Sequence, residues 1–399
     1  MQTIQMLVVV LVVVVYGGGM GAVGADVYVS PFGTDSPNGG SESNPFQTLP
    51  YAVSHAEANG TVYVLPGVYT AMPTITLPGL TLKAYSPSPS APSAPSAHVL
   101  SGLKEYPSPP LTVSAPGVVI EGLMLTQFRT YASIYGAIYV SRNGEATVVG
   151  CSFADNSIAL SVLAGSLTIK DSVIDLETTG STAGPTNGQQ QESQSATGAG
   201  TGISFMYMDH GGGGTVEMHD SIVRGAGKGN AINVRDGPAT GVFSRTVFDG
   251  IRGVSTMGYI SRDVDLKFTS INATGVTQAF YAYGMQSPGK GRITIVDSEV
   301  VNSGTDDTSQ VDGLGVYAAD RIAVSIQNSV FHNLHTSGSG SALYCGSHAS
   351  MTVLSSAFTD TSAGVAAPAY CATSCGFSAS GNTLKNNQAK SQEGACPGL

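Results

Sequence analysis

Apolar residues recur along most of the chain at a nearly constant interval. From Val118 onward, the sequence repeats a pair of apolar positions about five residues apart. The pairs are Ile120 and Leu125, Val148 and Phe153, Ile169 and Ile174, Met218 and Val223, Phe243 and Phe248, Phe268 and Ala273, Ile295 and Val300, Ile326 and Phe331, Val353 and Phe358, and Ala379 and Leu384. The second members are spaced by 28, 21, 49, 25, 25, 27, 31, 27 and 26 residues. One unit is therefore about 26 residues long, and the gap of 49 is either two units or one unit with an insertion.

A second apolar column runs in phase with the first. Its members are Ile138, Leu160, Ile203, Ile232, Val254, Phe280, Val316, Leu343 and Ala369. Self-similarity at a fixed period indicates stacked units, none of which buries its apolar side alone. The runs are short, rich in β-branched residues and flanked by Gly, Ser and Asn, which favours a β-solenoid over a helical repeat. The low leucine content of the columns excludes leucine-rich repeats.

A third column predicts where each unit turns. Two residues after the second apolar position come Asp155, Gly225, Gly250, Gly275, Asn302, Asn333, Asp360 and Asn386, with Gln127 and Leu176 as the exceptions. Gly, Asn and Asp tolerate the left-handed backbone that a sharp corner requires. A β-helix bends its chain at the same corner of every coil, so the column predicts an all-β, single-stranded parallel β-helix.

The segment from Asp26 to Thr70 predicts a different local structure. Alternation in Val27–Val29 and in Val62–Leu65 indicates two strands. Between them, Thr48 suits a helix N-cap, Pro50 is tolerated in the first turn, and Ala52, Val53 and Ala56 share one face. Asn59-Gly60 is suited to end this helix.

This segment resembles the N-terminal cap of right-handed parallel β-helix proteins with the pectate-lyase-like (pectin lyase) fold. The matching residues are Tyr28-Val29-Ser30, Gly33-Thr34-Asp35, Asn44-Pro45-Phe46-Gln47-Thr48, Ala52-Val53, Ala56 and Val62 to Thr70. The resemblance implies a right-handed coil with an N-terminal capping helix, and the columns indicate roughly ten to twelve turns. It implies little about function, because enzymes and non-enzymes share this cap. Turns such as Asn328-Ser329-Val330-Phe331-His332-Asn333 also resemble, loosely, the repeats of polymorphic outer-membrane surface proteins.

The same features divide the chain into segments. We expect a signal peptide at 1–25, the cap and first strands at 26–70, and the β-helix at 71–399, ending in a cysteine-bearing tail. Pro-rich and low-complexity stretches at 86–96 and 180–200 are expected to leave the coil as loops. The apolar run Met6 to Tyr16, followed by small residues up to Ala25, predicts secretion. An uncleaved anchor is the alternative, but the run is short for a bilayer span.

Composition narrows the class of partner. The 399 residues include 51 Gly, no Trp and a net charge of −10, with 17 basic residues scattered singly. Without a basic run, binding to nucleic acid or to anionic membranes is disfavoured. The mature chain is expected to be extracellular, with no membrane span.

Acidic and basic residues offer a weak case for catalysis. A pectate-lyase-like enzyme needs clustered carboxylates for calcium and an Arg or Lys base. The candidates are Asp209-His210, Arg235-Asp236, Arg262-Asp263 with Asp265, Asp306-Asp307 and Asp320, and they are scattered over several coils. His332 and His335 are expected to face different ways. No cofactor is expected, except calcium if the chain were a lyase.

An aromatic stripe is the more suggestive feature. One residue after the second-column positions, and so facing outward, are Tyr139, Tyr281, Tyr317, Tyr344 and Tyr370; other coils place Ser161, Ser204, Asn233 and Ser255 there. Rings with polar ends on a flat sheet suit contact with sugars or with a protein partner. The alternative is that tyrosine stacking simply stabilises the sheet.

Cysteines and sequons complete the candidate sites. Cys345 and Cys371 occupy the same position in successive coils, so we prefer a Cys345–Cys371 disulfide, with Cys375–Cys396 closing the tail over the last coil. Four cysteines allow three pairings. Cys151 is expected to be a lone buried thiol, and Asn59 and Asn272 lie in glycosylation sequons.

These features favour a secreted scaffold that binds polysaccharide, a cell-surface glycan or another surface partner through its outward stripe. Two alternatives remain open: a polysaccharide lyase or glycoside hydrolase acting on a pectin-like polymer, and a structural wall or matrix protein.

Overall fold

The computed structural model describes 25–87, 97–103, 108–129, 135–176, 201–205, 214–225, 229–234, 238–258, 263–283, 290–301 and 311–399. These parts form an all-β parallel solenoid with one short helix. The expected signal peptide and most of the two expected loops, at 88–96 and 180–200, lie outside the described residues. Within the described part, no helix combines the length and apolar character needed to cross a membrane.

Three long parallel sheets, which we name I, II and III in the order the chain visits them, make up the solenoid. Among the described residues, they have 13, 12 and 11 strands. Sheet I contains Val27–Val29, Thr61–Val64, Thr81–Ala84, Val118–Glu121, Glu145–Val149, Ser166–Lys170, Gly214–His219, Ala239–Ser244, Val264–Thr269, Gly291–Val296, Ile322–Gln327, Ser350–Leu354 and Gly376–Ser380.

The other two sheets follow the same order along the solenoid. Sheet II contains Gly67–Tyr69, His98–Ser101, Met124–Thr126, Ser152–Ala154, Val173–Asp175, Ile222–Arg224, Val247–Asp249, Asn272–Thr274, Glu299–Val301, Val330–His332, Ala357–Thr359 and Thr383–Lys385. Sheet III contains Thr74–Ile75, Leu111–Val113, Ile138–Val140, Ile158–Val162, Thr201–Phe205, Asn230–Val234, Gly253–Gly258, Phe280–Tyr283, Val316–Ala318, Leu343–Cys345 and Ala369–Cys371. Ser362–Val365 and Gln388–Ser391 form a separate two-stranded sheet.

The first apolar column is confirmed at every position. Its first members pair in register down sheet I, and its second members pair down sheet II. Ile174 pairs directly with Val223, so the gap of 49 residues is one coil with an insertion. Until the final coil these side chains are buried, and they stack into a single apolar core.

The second column needs one correction. Ser255, not Val254, pairs with Ile232 and Phe280 in sheet III. Our prediction chose Val254 because it is apolar; both residues are buried, but the position in register with the column belongs to the serine. The outward residue of this coil is therefore Thr256, and the expectation that Ser255 faces outward is wrong.

The corner after sheet II has the predicted left-handed backbone at most of the predicted positions, but Gly225 does not have a positive φ. Asp155, Gly250, Gly275, Asn333, Asp360 and Asn386 have φ between 53° and 61°. Gln127, an apparent exception in sequence, also adopts φ 64°. Asn302 lies outside the described residues.

A second left-handed corner, which the sequence reading missed, joins sheets I and II. Its residues are Gly122, Gly150, Asp171, Asp220, Arg245, Ser270, Asp297, Asn328, Ser355 and Gly381. The residue that follows is often a buried hydroxyl, as in Ser298 and Ser329. The Ser329 hydroxyl donates to the Gln327 carbonyl at 2.8 Å and accepts from the Ser298 N–H at 3.2 Å. This serine ladder supplies hydrogen bonds that the bent backbone would otherwise lack.

The N-terminal helix spans Leu49–His55 and buries Leu49, Ala52 and Val53 against the first coil. Thr48 is its N-cap, as predicted, but the helix ends before Asn59-Gly60. Asp35 fixes the cap by accepting from the Thr48 hydroxyl at 2.7 Å and from the Thr48 N–H at 3.1 Å. Burial acts to raise the pKa of Asp35, but these hydrogen bonds outweigh burial and hold its pKa below the usual value.

The cysteine pairing differs from our preference. Cys345 bonds to Cys375 and Cys371 bonds to Cys396, with Cα separations of 5.8 and 5.0 Å. Cys345 and Cys371 do occupy paired positions, but side chains on aligned parallel strands project side by side rather than toward each other. Cys151 is a buried free thiol, as expected, and burial raises its pKa to about 12.

The C-terminal tail covers the last coil only in part. Cys396 and Leu399 pack against the core. Leu384, which continues the apolar column of sheet II, is nevertheless 44 % exposed. The expected closure of this end is therefore incomplete in the described structure.

We predict that Ser329→Ala destabilises the fold far more than Ser325→Ala. The first change leaves the buried Ser298 N–H without its acceptor, which costs about 1–3 kcal/mol. Ser325 lies on the partly exposed outer side of sheet I, where truncation should cost at most about 0.5 kcal/mol. Guanidinium unfolding midpoints of both variants test this, and equal midpoints would contradict a structural role for the serine ladder.

Candidate binding site on the tyrosine ladder

Four of the five predicted tyrosines form one continuous stack on the outer side of sheet III. Strand register places Tyr281 opposite Tyr317, Tyr317 opposite Tyr344, and Tyr344 opposite Tyr370. The successive ring centroids are 5.0, 4.7 and 5.0 Å apart, with interplanar angles of 22°, 9° and 17°. We call these four residues the tyrosine ladder.

The alternation of buried and exposed residues along each strand shows which side of sheet III carries the ladder. Phe280 and Ala282 are buried on either side of Tyr281, and Val316 and Ala318 flank Tyr317 in the same way. The tyrosines, which are partly exposed, must therefore project from the opposite side of the sheet. Since every member has the same place in its coil, the phenol groups repeat at the strand spacing of about 4.8 Å.

The stacking determines what a ligand can touch. Inside the ladder the ring faces lie against neighbouring rings, so they are not available for face-on contact with a sugar. In the described part of the chain, the phenol oxygens of Tyr317, Tyr344 and Tyr370 make no hydrogen bond to protein. Tyr317, Tyr344 and Tyr370 thus offer ring edges and a row of hydroxyl groups, each able to donate and accept.

A fixed loop borders the ladder. The Asp312 carboxylate accepts from the Ser339 N–H at 2.6 Å, and Gln278 Nε2 donates to the Asp312 carbonyl at 2.7 Å. Gly313, with φ 59°, passes so close that an added Cβ would lie 2.7 Å from the Tyr344 Cβ. Only glycine suits both this backbone conformation and this approach.

The tail borders the other end of the ladder. The Cys371 N–H donates to the Gly394 carbonyl at 2.8 Å, next to the Cys371–Cys396 disulfide. Gly394 has φ 71°, and a Cβ there would collide with the Tyr370 ring. The disulfide therefore positions the segment that packs on the last tyrosine.

Burial shifts the pKa of two ladder residues, Tyr317 and Tyr344. Burial, assisted by Tyr344, Tyr281 and Asp312, raises the pKa of Tyr317 to about 12. Burial and the nearby Asp312 also raise the pKa of Tyr344. The phenols of Tyr317 and Tyr344 therefore remain neutral hydrogen-bonding groups well above neutral pH.

Tyr139, the fifth predicted residue, stands apart from the ladder. It pairs with Thr112 and Ser161, and its ring meets Tyr135 edge-on at 4.9 Å. The column continues from Tyr139 through Ser161, Ser204, Asn233 and Thr256 before the ladder begins. Ser161 is buried and accepts from the Gly136 N–H at 2.7 Å, so the stripe is interrupted there.

A second aromatic cluster lies on sheet I near the cap. Tyr28 and Tyr63 stack with centroids 5.1 Å apart, and Tyr85 meets both edge-on. The Tyr85 hydroxyl donates to the Glu42 carboxylate, and this hydrogen bond is the main reason that the pKa of Tyr85 rises to about 12. The alternation in Val27–Val29 already indicated outward tyrosines, but the sequence did not connect them with Tyr85.

Within the described residues, the charged candidates do not come together in one site. Asp263 accepts from the Lys290 N–H at 3.0 Å, and Asp265 pairs in register with Arg292. Asp209-His210, Arg235-Asp236, Arg262 and Asp306-Asp307 lie outside the described residues. Asp320 adopts φ 52° at a turn.

The potential metal ligands of the described residues were compared by the distances between their ligand atoms. Among the described residues, only Cys345, Cys371 and Cys375 bring three potential ligand atoms within 4.8 Å of one another, and all three form disulfides. His332 contacts Glu299 at 3.1 Å, whereas His335 contacts Asn333 and Ser362. The two histidines therefore have different partners, as expected.

Both sequon asparagines are exposed. Asn59 has φ 60° in the turn after the helix. Asn272 lies on the outer side of sheet II, where the Thr274 hydroxyl donates to Asp249 at 3.1 Å. Their exposure leaves both side chains accessible to modification.

Comparison with known proteins is informative only about architecture. No family model matches the chain, and no curated protein matches it. Among solved structures, it is similar to an endo-xylogalacturonan hydrolase from Aspergillus tubingensis, with a TM-score of 0.43, 10 % identity and coverage of 93 % of this chain and 94 % of the other. It is also similar to a lacto-N-biosidase from Eubacterium ramulus, with a TM-score of 0.41, 11 % identity and coverage of 90 % and 67 %.

An alginate lyase gives a comparable result, with a TM-score of 0.38, 11 % identity and coverage of 92 % and 85 %. The chain is a β-solenoid by its own sheet topology, and it shows weak structural similarity to these hydrolases and this lyase. At these scores and identities, the similarity carries no argument about substrate or activity.

We predict that stability falls between about pH 10 and 12 and that Tyr317→Phe weakens this dependence. The folded-state pKa of Tyr317, about 12, exceeds the unfolded value of about 10. Its contribution is therefore complete below pH 10 and is lost as the pH rises through 12. Urea midpoints measured from pH 9 to 12, together with phenolate absorbance, test this, and the same pH slope in both proteins would refute it.

Proposed function

We propose that this chain is a secreted, right-handed β-helix scaffold of ten to twelve coils that binds carbohydrate or a glycan-bearing surface through the tyrosine ladder. The observation that carries the proposal is the alignment of four partly exposed phenols at one strand spacing. The two disulfides agree with an extracellular location, because such bonds persist in oxidising compartments.

A polysaccharide suits the ladder because both partners are periodic. The phenol hydroxyls repeat at regular intervals, and Thr256 and Asn233 continue the column with further polar groups. The stacked rings, the loop at Gly313 and the tail at Gly394 hold these groups in place before a ligand arrives. Preorganisation of this kind lowers the entropic cost of binding.

Charge favours a neutral polymer over a polyuronate. The chain carries a net charge of −10, and Asp312 lies beside the ladder. Carboxylates on a ligand would meet repulsion there. Neutral sugars would instead exchange hydroxyl hydrogen bonds with the phenols, and burial keeps that of Tyr317 protonated by raising its pKa to about 12.

Two modifications belong to the same proposal. Glycosylation of Asn59 and Asn272 would decorate the cap and sheet II, and neither residue lies on sheet III. Attached glycans would therefore leave the ladder uncovered. Cys345, Cys371, Cys375 and Cys396 would keep the tail in place beside Tyr370 outside the cell.

We predict that Tyr317→Ala reduces retention on neutral polysaccharide about tenfold or more, and that Tyr317→Phe gives a smaller loss. The alanine removes the ring and the hydroxyl, and the phenylalanine removes the hydroxyl alone; a tenfold change corresponds to about 1.4 kcal/mol. Affinity electrophoresis on neutral and uronate polymers, with circular dichroism as a folding check, provides the measurement.

Tyr63→Ala is the matched control, because Tyr63 also stacks on an outer sheet surface but lies on sheet I. It should retain wild-type binding. Equal losses in the Tyr63 and Tyr317 variants would argue against the ladder as the site. Absence of any retained glycan in the wild-type protein would leave the ladder a stabilising feature of a structural protein.

A further inference from the structure

Ser362, His335 and Asn333 form a chain of hydrogen bonds near the corner that follows sheet II. The Ser362 hydroxyl lies 2.8 Å from His335 Nδ1, and His335 Nε2 lies 2.9 Å from Asn333 Oδ1. Asn333 and His335 belong to one coil and Ser362 to the next. A parallel bridge pairs His335 with Ser362 and so brings the three together.

The contacts define the protonation of neutral His335. Asn333 Oδ1 can only accept, so Nε2 must carry the ring proton. Nδ1 then holds a lone pair and accepts from the Ser362 hydroxyl. A serine whose proton points at a neutral imidazole, itself oriented by a third group, has the arrangement of an activated nucleophile.

The backbone around Ser362 is fixed on both sides. Its N–H donates to the Leu334 carbonyl at 2.9 Å, and its own carbonyl accepts from the Thr336 N–H at 2.9 Å. In the following coil, Gln388 pairs with Ser362 in register and is exposed. His335 and Gln388 therefore flank Ser362 from opposite sides, each about 4.8 Å away along the solenoid axis.

The position of this line relates it to the ladder. His335 precedes Tyr344 in one coil, and Ser362 precedes Tyr370 in the next, each by eight or nine residues along the chain. His335 and Asn333 are exposed and Ser362 is partly exposed, so a ligand can reach the serine. His335 and Ser362 therefore belong to the same two coils as Tyr344 and Tyr370.

We propose that Ser362, His335 and Asn333 form a serine esterase site that removes acyl groups from the hydroxyls of a bound glycan. The choice of an acylated sugar as substrate rests on the function proposed above, whereas the hydrolytic chemistry does not. Ser362 is the nucleophile, His335 the general base and Asn333 a positioning residue. The Gln388 carboxamide is the donor that stabilises the developing oxyanion.

The reaction needs no external reactant except water. Ser362 Oγ attacks the acyl carbonyl carbon while its proton passes to His335 Nδ1. The tetrahedral intermediate collapses, the sugar oxygen leaves with that proton, and an acyl-serine remains. Water then gives a proton to Nδ1 and its oxygen to the acyl carbon, after which the carboxylic acid departs and the serine recovers its proton.

The first test uses the wild-type chain. Incubation with a fluorophosphonate probe, followed by peptide mapping, should place one label on Ser362. The same protein should hydrolyse p-nitrophenyl acetate above the buffer rate. Absence of both label and hydrolysis, or a label on a different residue, would overturn the proposal.

Variants assign the roles. Ser362→Ala and His335→Gln should each lower p-nitrophenyl acetate hydrolysis about hundredfold or more, toward the buffer rate. Ser378→Ala is the matched control, because Ser378 is an exposed serine whose hydroxyl also lies in hydrogen-bond distance of a neighbouring coil, 3.2 Å from the Thr352 hydroxyl. Equal rates in the Ser362 and Ser378 variants would refute the assignment.

Asn333 allows a test of positioning. Its φ of 56° is tolerated by glycine and by aspartate, so neither change should disturb the corner. Asn333→Gly should lower kcat with little change in KM, and Asn333→Asp should restore activity. Loss of activity in both variants, or in neither, would contradict a positioning role.

Binding and hydrolysis can fail separately. If both proposals hold, Ser362→Ala keeps polysaccharide retention, and Tyr317→Ala keeps hydrolysis of the small ester. An active enzyme without glycan retention would support the serine site and refute the ladder as a binding site. Glycan retention without hydrolysis or labelling would support the ladder as a binding site and refute the serine site.

Discussion

In-register parallel stacking is the constraint on which the rest of this structure depends. Each strand pairs with the equivalent strand of the next coil, so a residue's place in its coil determines its neighbours along the whole solenoid. Because side chains alternate across a strand, a shift of one residue would move the buried set to the outer surface. Corners must therefore recur at the same places, and left-handed residues recur with them.

The same constraint produces features that no single coil contains. Four tyrosines at one position become a stacked ladder, and serines at another become a buried chain of hydrogen bonds. His335 meets Ser362 because the two occupy equivalent places in successive coils. Candidate chemistry in this fold is thus distributed over coils and is found by reading down columns rather than along motifs.

Sequence was most informative where the column residues are apolar or tolerate left-handed backbone. Leu125 through Leu384 could be aligned from letters alone, since burial selects apolar residues at every turn. The place of Ser255 in the second column was missed because its side chain is polar, and the adjacent apolar residue Val254 was chosen instead. The buried serine ladder was not predicted because a search for apolar columns passes over polar residues. Disulfide pairing failed because register gives the separation of two cysteines but not the direction of their side chains.

For the candidate sites, the side of the sheet on which a residue lies could be predicted, whereas contacts between side chains could not. Outward tyrosines follow from alternation, so Tyr281 through Tyr370 were predictable. The face-to-face stacking, which leaves mainly ring edges and hydroxyls to a ligand, depends on side-chain torsions that the sequence does not specify. Contact between His335 and Ser362 depends on both the bridge and the rotamers, so the sequence did not indicate it.

The central claim is that the tyrosine ladder is a preformed platform for a neutral glycan. A crystal structure of the mature chain soaked with a neutral oligosaccharide tests it most directly. We predict density for sugar rings beside Tyr317 and Tyr344, with sugar hydroxyls within hydrogen-bond distance of the phenol oxygens and the ladder rings unmoved. Density confined to another surface, with an empty ladder, would contradict the claim.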